Sequence, residues 1–267
     1  MLLDAIDSRP SLARFFNDAT PDYLQVDASP VTAPPFTAAG WFNCNSETNV
    51  GGLFFTGDLD VTADHFYVMV RGTTAGNPIR IGARSAAEGS QTADTTRGYI
   101  VNQWHHFFAV WVTASYRYIL FDGGNEGLST GTATPVIDTP RITIGRLGDS
   151  SPSDPFSGMI AHIAIWNKAL TRLDGRNLAA GLHPKMVCLN NLRAYWNWHE
   201  GSPEVSDGKQ YGQYALVNTT SVTRPCPIKL YRTLPRPLLR EGVTVAAAPV
   251  VPLSQIISNA VRHSYQH

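Results

Sequence analysis

Two adjacent histidines, His105 and His106, sit in the stretch Asn102-Gln-Trp-His-His-Phe-Phe-Ala-Val-Trp-Val-Thr113. Imidazoles bind metals and move protons near neutral pH, so the pair is the first candidate for chemistry. The residues around it are aromatic and β-branched, which is strand composition. Neighbours on a strand point to opposite faces, so the two rings cannot close on one ion. By parity Trp104, His106, Phe108, Val110 and Val112 share one face, and His105, Phe107, Ala109 and Trp111 the other. The stretch therefore reads as one arm of a hairpin that turns at Thr113-Ala-Ser115 and closes at Asp122-Gly123, its histidines packed and hydrogen-bonded.

Other catalytic patterns fail on context. Gly127-Leu-Ser129-Thr-Gly131 matches G-x-S-x-G, but a nucleophile elbow needs a strand before it and a helix after it, and both flanks here are turn-like. Sugar hydrolysis on a β-sandwich needs two carboxylates on one face. The six glutamates (47, 88, 126, 200, 204 and 241) show no such spacing. His263 and His267 lie four apart but lack a third ligand nearby, and no phosphate loop, dinucleotide fingerprint or zinc cysteine cluster is present. Calcium takes several oxygens from loops. Two aspartate-rich loops are its candidate ligands: Asp58, Asp60 and Asp64 in one, Asp149 and Asp154 in the other. Ordinary turn-forming aspartate is the competing reading.

The chain around these residues is 267 long, with 21 basic and 21 acidic side chains, 22 glycines and 18 prolines. Balanced charge gives no field for nucleic acid or an anionic membrane, and no run of 18 apolar residues occurs to cross one. Low charge with frequent Gly and Pro suits many short strands joined by turns. Candidate strands are 23–26, 36–43, 52–56, 65–71, 79–83, 98–100, 104–112, 116–121, 141–144 and 158–166, and residues 167–174 form the one short helical or turn segment after them. Their spacing points to a sandwich or jelly roll. Cys44, Cys188 and Cys226 lack CxxC spacing; free thiols are the simpler reading and a Cys188–Cys226 bridge the alternative.

The two ends differ in charge. Residues 1–27 hold five Asp, and residues 224–267 hold six cationic side chains against Glu241 alone. Residues 229–252 are proline-rich and read as an extended arm. Beyond it Leu253, Ile256, Ile257, Ala260 and Val261 fall on one helical face. Candidate partner-binding residues are thus Arg232, Arg236, Arg240, Leu253, Ile256, Ile257 and Val261.

Four segments carry a family resemblance: Pro35-Phe-Thr-Ala-Ala-Gly-Trp41-Phe; Trp104-His-His with Tyr118-Ile-Leu-Phe-Asp-Gly123; Ile144-Gly-Arg146 with Phe156-Ser-Gly158 through Trp166-Asn-Lys-Ala-Leu170; and Leu192-Arg-Ala-Tyr-Trp196 followed by Asp207-Gly. Together they resemble the laminin-G-like, concanavalin A-like jelly-roll family over about residues 20–227. The resemblance implies an all-β antiparallel jelly-roll sandwich, with calcium at a loop rim in some members. It implies sugar-binding, protein-binding or purely structural roles; the missing carboxylate pair, not the resemblance, is what argues against catalysis, and a glycoside hydrolase on the same fold is the third reading. The expected organisation is an N-terminal arm at 1–19, the sandwich at 20–227, and a C-terminal arm at 228–267 ending in a short amphipathic helix. The first functional expectation is a virion component, such as a phage capsid decoration, fibre or tail protein. The arms would anchor it to capsid or tail proteins or to further copies of itself. If viral, it would be located in the virion, which needs no export signal, and none is seen at residues 1–16; if not viral, the sequence assigns no location. The alternative is a lectin-like module that binds carbohydrate, with or without calcium.

Overall fold

The computed structural model describes residues 11–198, 216–218 and 222–232. The strands in chain order are β1 (Leu12–Phe16), β2 (Leu24–Val26), β3 (Phe36–Cys44), β4 (Val50–Asp58), β5 (His65–Arg71), β6 (Pro78–Ser85), β7 (Gly89–Gly98) and β8 (His105–Thr113). After them come β9 (Tyr116–Phe121), β10 (Gly124–Ser129), β11 (Pro140–Ile144), β12 (Gly158–Trp166), helix α1 (Arg172–Ala179), β13 (Leu192–Trp196), β14 (Val217–Asn218) and β15 (Val222–Pro225). They form two antiparallel sheets. One runs β10-β9-β8-β3-β12-β1-β15 with β13 also on β12; the other runs β14-β2-β11-β4-β5-β6-β7. This is the jelly-roll sandwich expected from the sequence.

Alternation builds the core. In β5 Phe66, Val68 and Val70 face inward, and in β6 Ile79, Ile81 and Ala83 do the same, all buried. From the opposite sheet Phe36 and Trp111 stack at 4.4 Å, and Phe66 meets the Trp111 edge at 5.9 Å. Trp111 also donates its indole N–H to the Gly82 carbonyl at 3.1 Å, a bond from one sheet to the other. A buried indole needs such an acceptor. On the other side of the eight-stranded sheet α1 lies against β8. The ring of Phe108 is so close to Gly175 that a Cβ there would sit 2.6 Å from it.

Several elements differ from the expected spans. Leu12–Phe16, placed in the leading arm by its acidic surroundings, is a sheet strand paired with β12 and β15, with Ala13 and Phe16 fully buried. The edge strand β7 occupies residues 89–98 rather than 98–100. Its sequence, GSQTADTTRG, has no apolar alternation, and it forms by pairing along β6. The helix starts at Arg172 rather than near Asn167, because Thr171 and Asp174 form a capping box that fixes its first turn. All three cysteines are free thiols. The chain divides into two units, Met1–Thr233 and Leu234–His267. The second lies outside the described residues, and with it Arg236, Arg240, Leu253, Ile256, Ile257 and Val261. Arg232 is exposed at the last described position, next to Tyr231, which bridges to Leu182.

Candidate functional site: a groove on the seven-stranded sheet

The same alternation that sends Phe66, Val68 and Val70 inward sends His65, Tyr67, Met69 and Arg71 to the outer face. On β6 it sends Arg80 and Arg84 outward, with Gly82 between them. The register sets these residues in rows: His65 opposite Arg84, Tyr67 opposite Gly82 and Met69 opposite Arg80. On the other side of β5, Gly57 stands opposite His65, Gly52 opposite Met69 and Val50 opposite Arg71. The glycines make the floor low. The Tyr67 ring lies across Gly82, where a Cβ would sit 2.2 Å from it, and the backbone of Arg146 lies as close to Gly52, at 2.5 Å.

The second wall is the loop between β11 and β12. It is pinned along its length. The Gly52 N–H donates to the Asp154 carbonyl (2.9 Å), Asn49 donates to the Pro155 carbonyl (3.0 Å), Ser150 N–H to Val61 (3.2 Å), and Leu147 and Ser153 bridge to each other. Between loop and sheet lies a cavity of about 240 Å³, lined by His65, Tyr67, Arg71, Arg84, Asp149 and Asp154 among others. That volume is just below the usual range for small-molecule pockets, so it has room for a small ligand or a short part of a larger one.

The charges in the groove are of both signs and mostly not paired with each other. Arg80 is satisfied by a two-pronged pair with Asp94, at 2.7 and 2.8 Å. Arg71 and Arg84 make no ion pair or side-chain hydrogen bond among the described residues. The Arg71 Nε is buried without an acceptor, and so is His65 Nδ1. His65 is pushed down to about 4, first by burial and then by Arg84. Its Nδ1 stands 3.9 Å from the Asp149 carboxylate, beyond hydrogen-bond reach. Burial raises Asp149, against the Ser151 N–H and Arg84 that favour its charged form. The groove thus offers cationic donors from the sheet and carboxylate acceptors from the loop, beside an aromatic ring.

The other residues singled out from the sequence have structural work. His105 donates or accepts through both ring nitrogens, Nδ1 with Asp122 at 2.8 Å and Nε2 with the Ile100 N–H at 3.0 Å. Asp122 also accepts the His106 N–H at 2.8 Å, so the histidine pair and its aspartate clamp the β8–β9 hairpin. Ser129 of the G-x-S-x-G match lies on β10 and accepts from the fully buried Arg117 at 3.1 Å; no helix follows it.

The five candidate calcium ligands do not converge. Asp58 accepts from the N–H groups of Asp60, Asp138 and Thr139 and from the Thr139 hydroxyl, which holds two loops together. Burial raises the Asp58 pKa, but these donors outweigh it and bring it to about 2. Asp64 accepts from Ala86 and Val136, and the Asp60 carboxylate stands 2.8 Å from the same Thr139 hydroxyl. Asp149 and Asp154 line the groove instead. Among the described residues no three His, Cys, Asp or Glu side chains are placed to hold a metal ion. The donor set does not fit a calcium cage.

The groove residues other than the two aspartates escaped sequence reading, although their signal is present. H-x-Y-x-M-x-R followed by R-x-G-x-R puts His, Tyr and three Arg, with one Met and one Gly, on the outward parity of two adjacent strands. His162 was missed as well. It adopts φ +54° at a bulge in β12, where that strand changes partner from β1 to β13. Its ring bonds Ser11 Oγ at 2.6 Å and the Tyr195 hydroxyl at 2.9 Å, tying the two partners together.

Comparison with solved structures places the fold. A heptameric SAP-like pentraxin from Limulus polyphemus superposes with a TM-score of 0.57 at 13% identity, covering 84% of this chain and 99% of that one. A putative carbohydrate-binding protein from Bacteroides ovatus gives 0.57 at 15%, covering 84% of this chain and 62% of that one. At such identities the likeness is one of fold. No curated protein matches the sequence. A laminin-G-type family model matches residues 18–174, more than half of the chain. The chain therefore belongs to the concanavalin A-like lectin/glucanase superfamily.

Proposed function

We propose that the protein is a non-catalytic glycan-binding module whose ligand seats in the groove between β4–β7 and the β11–β12 loop. The observation that carries this is the lining. Arg71 and Arg84 face Asp149 and Asp154 without pairing, beside Tyr67 and Met69. A sugar presents hydroxyls that both donate and accept and a ring face that packs on apolar surface. Guanidinium and carboxylate groups that are not already joined serve those hydroxyls, and charged partners give the stronger bonds. The pinned loop keeps the groove shaped before binding, which lowers the ordering cost.

Binding rather than hydrolysis is favoured by where the carboxylates sit. Asp149 and Asp154 come from one loop, whereas glycoside hydrolysis needs two carboxyl groups flanking the bond. A printed glycan array probed with the purified protein, with and without EDTA, tests the proposal. Binding to a defined set of sugars in both conditions supports it; silence across the array removes it.

Assembly through the terminal arms, in a virion or with further copies of the chain, is a second proposal. It rests on the charge asymmetry of the two ends and on the exposed Arg232. Size-exclusion chromatography with and without residues 233–267 tests it, and an unchanged monomer in both runs would exclude self-assembly through that arm. This deletion point keeps Tyr231, whose N–H and carbonyl bond Gly181 and His183.

A further inference from the structure

We infer that the glycan carries an anionic group, a carboxylate or a sulfate, and that Arg71 is its anchor; this rests on the groove being the glycan site. Three arginines line the groove, and their states differ. Arg80 has its carboxylate in Asp94. Arg84 lies where it acts on both His65 and Asp149, so its charge is partly answered by the loop. Arg71 has no ion pair and no side-chain hydrogen bond within the described residues. It is half-buried, at the end of β5 beside Val50, and its Nε has neither solvent nor an acceptor. A guanidinium charge that no carboxylate answers is open to an anionic partner.

An oxyanion supplies what Arg71 lacks. Two oxygens of a carboxylate or sulfate can take the two terminal amino groups of Arg71 end-on, a two-pronged pair of the kind that Arg80 makes with Asp94. The rest of the sugar would then run along the groove over Met69 and Tyr67 toward Arg84 and Asp149. Arg71 and His65 are six residues apart on β5, roughly 20 Å by strand rise. A single small anion cannot reach both ends of that row, so the anionic group marks one end of the ligand and neutral hydroxyls the rest.

The test uses the full chain on an array that sets neutral oligosaccharides beside their uronic-acid and sulfated counterparts, followed by titration calorimetry on the strongest binder. Arg71→Gln and Arg71→Lys are compared with the unaltered protein. The guanidinium makes no side-chain bond that the fold uses, and unchanged thermal melting confirms that each variant is folded. The expected result is binding confined to acidic members, weakened by NaCl, and reduced about ten- to hundredfold by Arg71→Gln. Arg71→Lys retains part of it, since charge remains and the planar fork does not. Uronic-acid and sulfated members separate the two sources of the anion. Equal binding of neutral sugars, unaffected by Arg71→Gln, overturns the inference and leaves the glycan reading standing. No binding to any sugar overturns both.

Discussion

Three buried histidines are held neutral by the fold. His106 and His162 are pushed down to about 3, both by burial, with His183 adding to the effect at His162 and Asp122 opposing it at His106. His65 lies at about 4. In the unfolded chain each would titrate near 6.5. Between that value and the folded one the unfolded state binds the extra proton, so stability is complete above about pH 6.5 and falls as pH drops toward 3. Each histidine contributes a slope of up to about 1.4 kcal/mol per pH unit over that window. Urea unfolding at several pH values should show this decline, and His106→Gln should make it shallower by about one histidine's share. A second residue-scale expectation concerns Asp58, whose carboxylate takes four hydrogen bonds from two loops. Asp58→Ala strands those donors and should cost about 2–4 kcal/mol, measured by the same unfolding experiment. Asp149 and Asp154 supply the remaining test at this scale. Asp149→Asn should weaken sugar binding, and reducing-end assays should detect no turnover in either protein; turnover lost in the variant would make the protein a hydrolase.

The groove depends on glycine at the level of strands. A side chain at Gly52 would meet the Arg146 carbonyl carbon at 2.5 Å and its oxygen at 2.8 Å, backbone atoms that cannot swing aside. Gly52→Ala should therefore lift the β11–β12 loop and abolish binding while the sandwich, whose core lies on the other face, still melts cooperatively. Thermal melting and calorimetry on one sample check both halves of that expectation. The same elements show what the sequence made legible. The core strands β3, β5, β8, β9 and β12 were readable because apolar residues repeat on fixed parities, and the Trp-His-His hairpin was read as structure from parity alone. β7 and β1 were not readable, because their place is set by partners far along the chain. In GSQTADTTRG nothing but pairing with β6 makes a strand, and in Leu12–Phe16 the acidic neighbourhood masked two buried apolar residues, Ala13 and Phe16. The groove shared that difficulty. Asp149 and Asp154 were visible as an acidic loop, but only tertiary register sets that loop over Arg71 and Arg84.

At the scale of the molecule, one sheet carries α1 on its outer face, and the β11–β12 loop lies over the outer face of the other. The groove with its unpaired charge on the seven-stranded sheet is the place proposed for a ligand. The most direct test of that claim is a calorimetric titration of the strongest array ligand into the protein and into Arg84→Ala, a change at an exposed side chain on the sheet wall. The predicted result is a loss of at least about tenfold in affinity with unchanged melting. Equal affinity in the two proteins would place the ligand elsewhere and contradict the account.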